Sequence, residues 1–116
     1  MIFAFDYNGT TQKYAVLREM ARLLIKANHE CHIISAIGNS GAEAACRDDI
    51  NSWGIAWTGI HFVLFPRPLE VGGVVEYEIG QLKANVMRAV GAAALYDDNP
   101  YICRAVRDAG FLAFQV

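Results

Sequence analysis

The sequence is poor in the features that staple or anchor a chain. Its three cysteines, Cys31, Cys46 and Cys103, are odd in number and none sits in a CxxC spacing. That fits neither a disulfide framework nor a zinc site and points to a reducing, cytoplasmic setting. No apolar run approaches the ~20 residues needed to cross a bilayer. The N-terminus also lacks a basic stretch leading into an apolar segment with a cleavage site, so neither a membrane partner nor a secretory leader is expected. Charge of one sign is missing too. With 10 Lys and Arg against 12 Asp and Glu there is no positive field to hold a polyanion by counterion release, and a nucleic-acid partner is not suggested. His29, His32 and His61 share no metal spacing and are assigned to a helix end and to sheet packing. Repeats, linkers and low-complexity tracts are absent.

What is present is a 54% hydrophobic chain of 116 residues, the length of one domain with one core. Met1 to Phe5 is a continuous apolar run, as suits a strand covered on both faces. From Gln12 to Asn28 the apolar residues Tyr14, Leu17, Ala21, Leu24 and Ile25 recur at helical spacing, with Arg18, Arg22 and Lys26 as a solvated basic stripe on another face. Cys31 to Ser35 reads as a second strand. Ser40 with Glu43 reads as a capping box opening a helix that runs through Trp53 to Gly54. Ile60 to Phe65 is a third strand, followed by an irregular stretch marked by Pro66, Pro68, Gly72, Gly73 and Gly80, with a short β-excursion expected at Val74 to Tyr77. Leu82, Val86, Met87 and Val90 form a helical face closed by Gly91, and Ala92 to Tyr96 is a fourth strand. Asn99-Pro100 opens a last helix as N-cap and first residue, Gly110 stops it, and Phe111 to Val116 is the fifth strand.

Strands and helices alternating this regularly imply a three-layer, Rossmann-like α/β fold, a parallel sheet of about five strands with helices on both faces. In such sheets ligands collect beyond the carboxyl ends of the strands. Asp6, Ser35 and the Asp97-Asp98 pair each follow a predicted strand, so the fold brings them to one edge. Asp6 followed by Asn8-Gly9-Thr10 makes a tight turn whose N–H groups suit an anion. A carboxylate approaches a phosphate only with a divalent cation between them, and Asp97 and Asp98 supply the hard oxygens that Mg²⁺ takes. Ser35 can donate to a phosphate oxygen, and Lys83 can neutralise developing charge and hold Asp6 ionised. The set amounts to a phosphoryl-transfer site with a carboxylate nucleophile.

Each element also has a plainer reading. Asn8-Gly9 is a type I′ hairpin signal, Asp97-Asp98 suits a helix start, and Ser35 and Lys83 taken singly are structural or surface residues. Arg67 stands where it could reach a substrate phosphate or carboxylate, and Trp53, Trp57 and Phe65 leave room for self-association as a homo-oligomer.

The order Asp6-Tyr7-Asn8-Gly9-Thr10, then Ser35 after Ile33-Ile34, then Lys83, then Leu95-Tyr96-Asp97-Asp98 resembles the haloacid dehalogenase-like (HAD) phosphatase superfamily, with a counterpart for all four of its motifs between residues 2 and 98. The resemblance implies that Asp6 attacks phosphorus to form an aspartyl-phosphate and that Ser35 and Lys83 hold the phosphoryl group. It further implies that Asp6, the Asn8 main-chain carbonyl and one or both of Asp97 and Asp98 bind Mg²⁺. Such members insert cap domains after the first or third strand. Thr10 passes almost directly into helix and Pro66 to Ile79 is 14 residues, so the chain resembles a capless member acting on a small or macromolecular phosphorylated substrate. One departure matters. The family carries a second Asp two residues after the nucleophile as general acid and base, and here that residue is Asn8. An amide cannot exchange the proton, a contribution of roughly 10²–10⁴-fold. The consequence is a slow phosphohydrolase or phosphotransferase, or a catalytically impaired domain that binds a phosphorylated ligand or protein partner. A phosphoacceptor signalling domain ranks behind both, because it would need its acceptor carboxylate at the third strand, which ends here in Leu64-Phe65-Pro66.

Overall fold

In a computed structural model, residues 1–65 and 73–116 are described. Five strands, β1 (Ile2–Phe5), β2 (Glu30–Ile37), β3 (Gly59–Leu64), β4 (Ala94–Asp97) and β5 (Leu112–Gln115), alternate with four helices, α1 (Ala15–Lys26), α2 (Glu43–Ser52), α3 (Val74–Val90) and α4 (Pro100–Asp108). The sheet is parallel throughout in the order β3-β2-β1-β4-β5. The chain therefore steps outward from β1 to β3, then returns to lay β4 on the other side of β1. That reversal between β1 and β4 creates the crevice at which ligands of such sheets bind.

Successive residues of each strand face opposite layers, which splits the core in two. Ala4, Ile34 and Leu95 pack with Ile79, Met87, Ile102 and Val106 beneath α3 and α4. Phe5, Cys31 and Ile33 pack with Ala21 and Ile50 beneath α1 and α2, and the partly buried Trp53 and Trp57 pack against this second cluster. Arg18 and Arg22 are likewise engaged rather than a free basic stripe. Arg18 donates to Thr11 O at 2.7 Å and lies over the Trp53 ring, while Arg22 donates to Trp53 O at 2.8 Å. His32 and His61 stack across β2 and β3 with ring nitrogens 2.9 Å apart, and His29 meets the N-terminal amine.

Three local expectations are corrected. The β-excursion at Val74 to Tyr77 is the first turn of α3, and Gly80, read as part of the irregular stretch, lies inside that helix. The reason for the glycine is packing. A Cβ on Gly80 would come within 2.8 Å of Ile102 O and 2.6 Å of Ala105 Cβ, so its absence lets α3 and α4 cross closely. The expected capping box is absent as well: Asn39 accepts the Ala42 N–H at 3.1 Å, and Ser40–Ala42 form one tight turn leading into α2. Asn is at least as good an N-cap as Ser, and it stands one residue earlier. Finally, β2 runs two residues past Ser35, because Ala36 and Ile37 find ladder partners in Val63 and Leu64. Asn99 does cap α4 as expected, accepting from the N–H groups of Tyr101 and Ile102, with Pro100 at the first position. Arg67 lies outside the described residues, as does the rest of residues 66–72. No described helix is long and apolar enough to cross a membrane.

Candidate active site at the strand ends

The segment after β1 is a wide turn, Tyr7–Thr11, and not a hairpin. Thr11 N–H reaches back to Asp6 O and Gln12 N–H to Tyr7 O, each closing five residues. Gly9 carries the one left-handed step, with φ at +70°, and a Cβ there would stand 2.5 Å from Asp98 Oδ2. The glycine thus serves two ends, the bend itself and the close approach of the β4 loop. Asp6 N–H donates to Tyr96 O at 2.9 Å, which locks this turn to the end of β4.

That lock gathers the acids. Asp6, Asp97 and Asp98 each present a carboxylate oxygen, all within 4.8 Å of one another. Lys83, 1% exposed, reaches from α3 to place Nζ 2.8 Å from Asp6 Oδ1 and 2.8 Å from Asp97 Oδ2. Asp97 Oδ1 accepts the Asn99 N–H at 3.0 Å. Thr10 Oγ1 lies 3.0 Å from Asp6 Oδ2 and 3.2 Å from Asp98 Oδ1, and accepts the Asp98 N–H at 3.2 Å. Asp6 and Asp97 are buried, whereas Asp98 is exposed.

The electrostatics follow from burial. Desolvation pushes the Asp6 carboxyl up to about 6, against the pull of the Lys83 ammonium and with the help of its neighbour Asp97. Lys83 is raised as well, by the opposite balance of causes. Burial disfavours its charge, yet two flanking carboxylates outweigh that and raise it above the ordinary lysine range. Three carboxylates against one ammonium leave a formal charge of −2 when Asp6 is ionised. A divalent cation cancels it.

The donor set suits such an ion. It consists of hard oxygens, and ligands about 2.1 Å from Mg²⁺ stand up to about 4.2 Å apart across it, so the widest pair needs less than about 1 Å of closure.

Asp6, Lys83, Asp97 and Asp98 line a cavity of about 370 Å³, together with Asn8, Asn99, Gly38 and Glu76. Its other walls are the apolar side chains of Ala36, Ile37, Phe65, Ile79 and Ile102. Asp6, Asn8, Lys83, Asp97 and Asp98 are brought together as expected. Ser35 is not among the cavity-lining residues. It is fully buried inside β2, and its hydroxyl has no hydrogen-bond partner among the described residues. The end of β2 offers the cavity Ala36, Ile37 and Gly38, whose polar groups are all main-chain. Gly9 and Thr10 do not line it either; both are spent on building the turn and holding Asp6 and Asp98 in place.

Glu76 is a cavity residue that reading the sequence missed. Assigned to an irregular β-excursion, it had no geometric relation to Lys83. On a helix, Glu76, Ile79, Gly80 and Lys83 fall on one face at the i, i+3, i+4, i+7 spacing.

No protein-family model and no curated protein matches the chain. Solved structures do. The fold is shared with a known phosphatase. The D,D-heptose 1,7-bisphosphate phosphatase of B. bronchiseptica, solved complexed with magnesium and phosphate, superposes with a TM-score of 0.69 at 10% identity, over 98% of this chain and 79% of that one. A protein of the universal stress protein family from Burkholderia pseudomallei superposes with a TM-score of 0.57 at 15% identity, over 99% of this chain and 94% of that one. At such identities the likeness is one of fold, and two differently named proteins share it. The side chains at the crevice must separate the functions.

Proposed function

We propose that the chain is a single-domain, capless, Mg²⁺-dependent phosphohydrolase or phosphotransferase of the HAD-like type, working through an aspartyl-phosphate on Asp6. The observation that carries this is the buried Lys83 ammonium between Asp6 and Asp97, beside the exposed Asp98, at the crevice between β1 and β4. A solely structural ion pair needs one acid. Here three converge at the mouth of a cavity, and the fold likeness to a phosphatase solved with magnesium and phosphate supports the same chemistry.

In this mechanism Asp6, Asp98 and the Asn8 carbonyl would hold the ion, and Asp97 would contribute through the lone pairs that Lys83 and Asn99 leave free. Bound there, Mg²⁺ supplies charge neutralisation that lets the phosphate dianion approach. Lys83 fixes the Asp6 carboxylate and balances negative charge on the phosphoryl oxygens. Asp6 attacks phosphorus, the Asp6 O–P bond forms, and the bond from phosphorus to the leaving oxygen breaks with its electron pair staying on that oxygen. Asn8 cannot protonate it, so aryl and acyl phosphates, whose leaving groups are stable as anions, are the favoured substrates. Water then attacks phosphorus and loses its proton to solvent, releasing inorganic phosphate and the free Asp6 carboxylate. With Ser35 inside β2, the phosphoryl contacts fall to Lys83, the Asn8 amide and main-chain groups at the end of β2.

A second function is favoured by Asn8 itself: a catalytically impaired domain that binds a phosphorylated ligand or protein partner in the same pocket. Phosphate release from an aryl phosphate, with and without Mg²⁺, in wild type and Asp6→Asn, separates the two. Metal-dependent release that Asp6→Asn abolishes sustains the enzyme. Stabilisation by Mg²⁺ with a phosphate analogue but no release leaves the binding domain, and neither response would remove the site.

A further inference from the structure

Glu76 contributes one carboxylate more than the phosphoryl chemistry uses. Its Oε2 is turned away from solvent and has no hydrogen-bond partner among the described residues, while the residue itself lines the cavity, so a turn of the side chain brings the carboxylate to a ligand there. An unpartnered buried acceptor is costly, and an unpaired buried charge more so. The charge count sharpens the point. Asp6, Asp97 and Asp98 are balanced by Lys83 and a divalent ion, which leaves Glu76 uncompensated among the described residues of the cavity. Glu76 also lies seven residues before Lys83 on the same face of α3, about 10 Å along the helix axis. It is therefore a leaving group's length away from the phosphoryl end. The apolar lining of the cavity includes Phe65, Ile79 and Ile102.

We propose that Glu76 recognises an ammonium group on the substrate's leaving group, so that the preferred substrates are phosphomonoesters with an apolar body and an amine at the end remote from phosphate. This rests on the phosphoryl group occupying the Asp6 end. The ammonium supplies the missing donors and the missing charge together, and the apolar walls strip water from the pair.

The test compares two ligands of nearly equal shape, para-(aminomethyl)phenylphosphonate and para-ethylphenylphosphonate, by calorimetry with Mg²⁺. Their hydrolysable phosphate counterparts are assayed in parallel. Wild type should bind the amine at least about tenfold more tightly. Glu76→Gln, which keeps the shape, should bring the ratio to about one, and Glu76→Asp should restore part of it. Equal binding of the two by wild type, or a ratio unchanged in Glu76→Gln, overturns the assignment. Binding of both phosphonates without turnover of either phosphate instead faults the enzyme proposal, and the affinity ratio still decides the role of Glu76.

Discussion

Lys83 Nζ sits 2.8 Å from Asp6 Oδ1 across 77 positions of sequence, with both side chains withdrawn from solvent. A buried cation with two acidic partners is held by them and in turn keeps them apart. Lys83→Met leaves Asp6 and Asp97 as neighbouring buried carboxylates, and breaking a buried pair in this way costs about 3–5 kcal/mol. Urea unfolding at pH 7 should register that loss, and a smaller one at pH 5, where Asp6 takes up a proton and the repulsion is relieved.

The pH response of the wild type follows from Asp6. Its carboxyl lies at about 6 in the folded chain against 3.8 for a solvated aspartate, so the folded chain binds the proton more tightly than the unfolded one. That contribution to stability is complete below pH ~4 and is lost as the pH rises through about 6. Mg²⁺ needs the ionised form and acts in the opposite direction. The increase in Tm produced by Mg²⁺ should therefore be small at pH 5 and larger at pH 7, and an equal increase at both would contradict the assignment.

Gly9→Ala couples two faults in one methyl group. The residue has φ +70°, and the new Cβ would stand 2.5 Å from Asp98 Oδ2, so Asp98 must move. The left-handed backbone alone costs about 1–2 kcal/mol. The expected signature is a Mg²⁺ affinity reduced by about tenfold or more alongside that modest loss of stability, read by calorimetry and by denaturant unfolding.

Gly80→Ala sets helix propensity against packing. Alanine favours the helix by about 1 kcal/mol. Its Cβ, however, meets Ile102 O and Ala105 Cβ inside contact distance, and overpacking costs typically 1–3 kcal/mol. A net loss of stability is expected, and a stabilised variant would show that α3 and α4 part easily.

Asn8→Asp supplies the proton donor that the loop lacks. Asn8 is exposed and lines the cavity, so the change is sterically free. Turnover of an alkyl phosphate should rise by up to roughly 10²–10⁴-fold, with a smaller gain on an aryl phosphate. Equal gains on both would show that leaving-group protonation is not what Asn8 withholds.

The sequence by itself determined the layer architecture and the grouping of Asp6, Asn8, Lys83, Asp97 and Asp98. Apolar runs and helical periodicity are local signals, and a parallel sheet carries every strand end to one edge. Only the tertiary structure decided which side chains at that edge face the cavity. Ser35 looked like a strand-end donor until β3 offered Ala36 and Ile37 ladder partners and drew the strand past it, an outcome set by pairing 27 residues away. Glu76 looked like loop because Gly72, Gly73 and Gly80 punctuate the stretch around it. What keeps Gly80 inside a helix is the backbone of α4, a contact that exists only once the two helices cross. Local patterning names the elements, while long-range contact fixes where they stop and what they face.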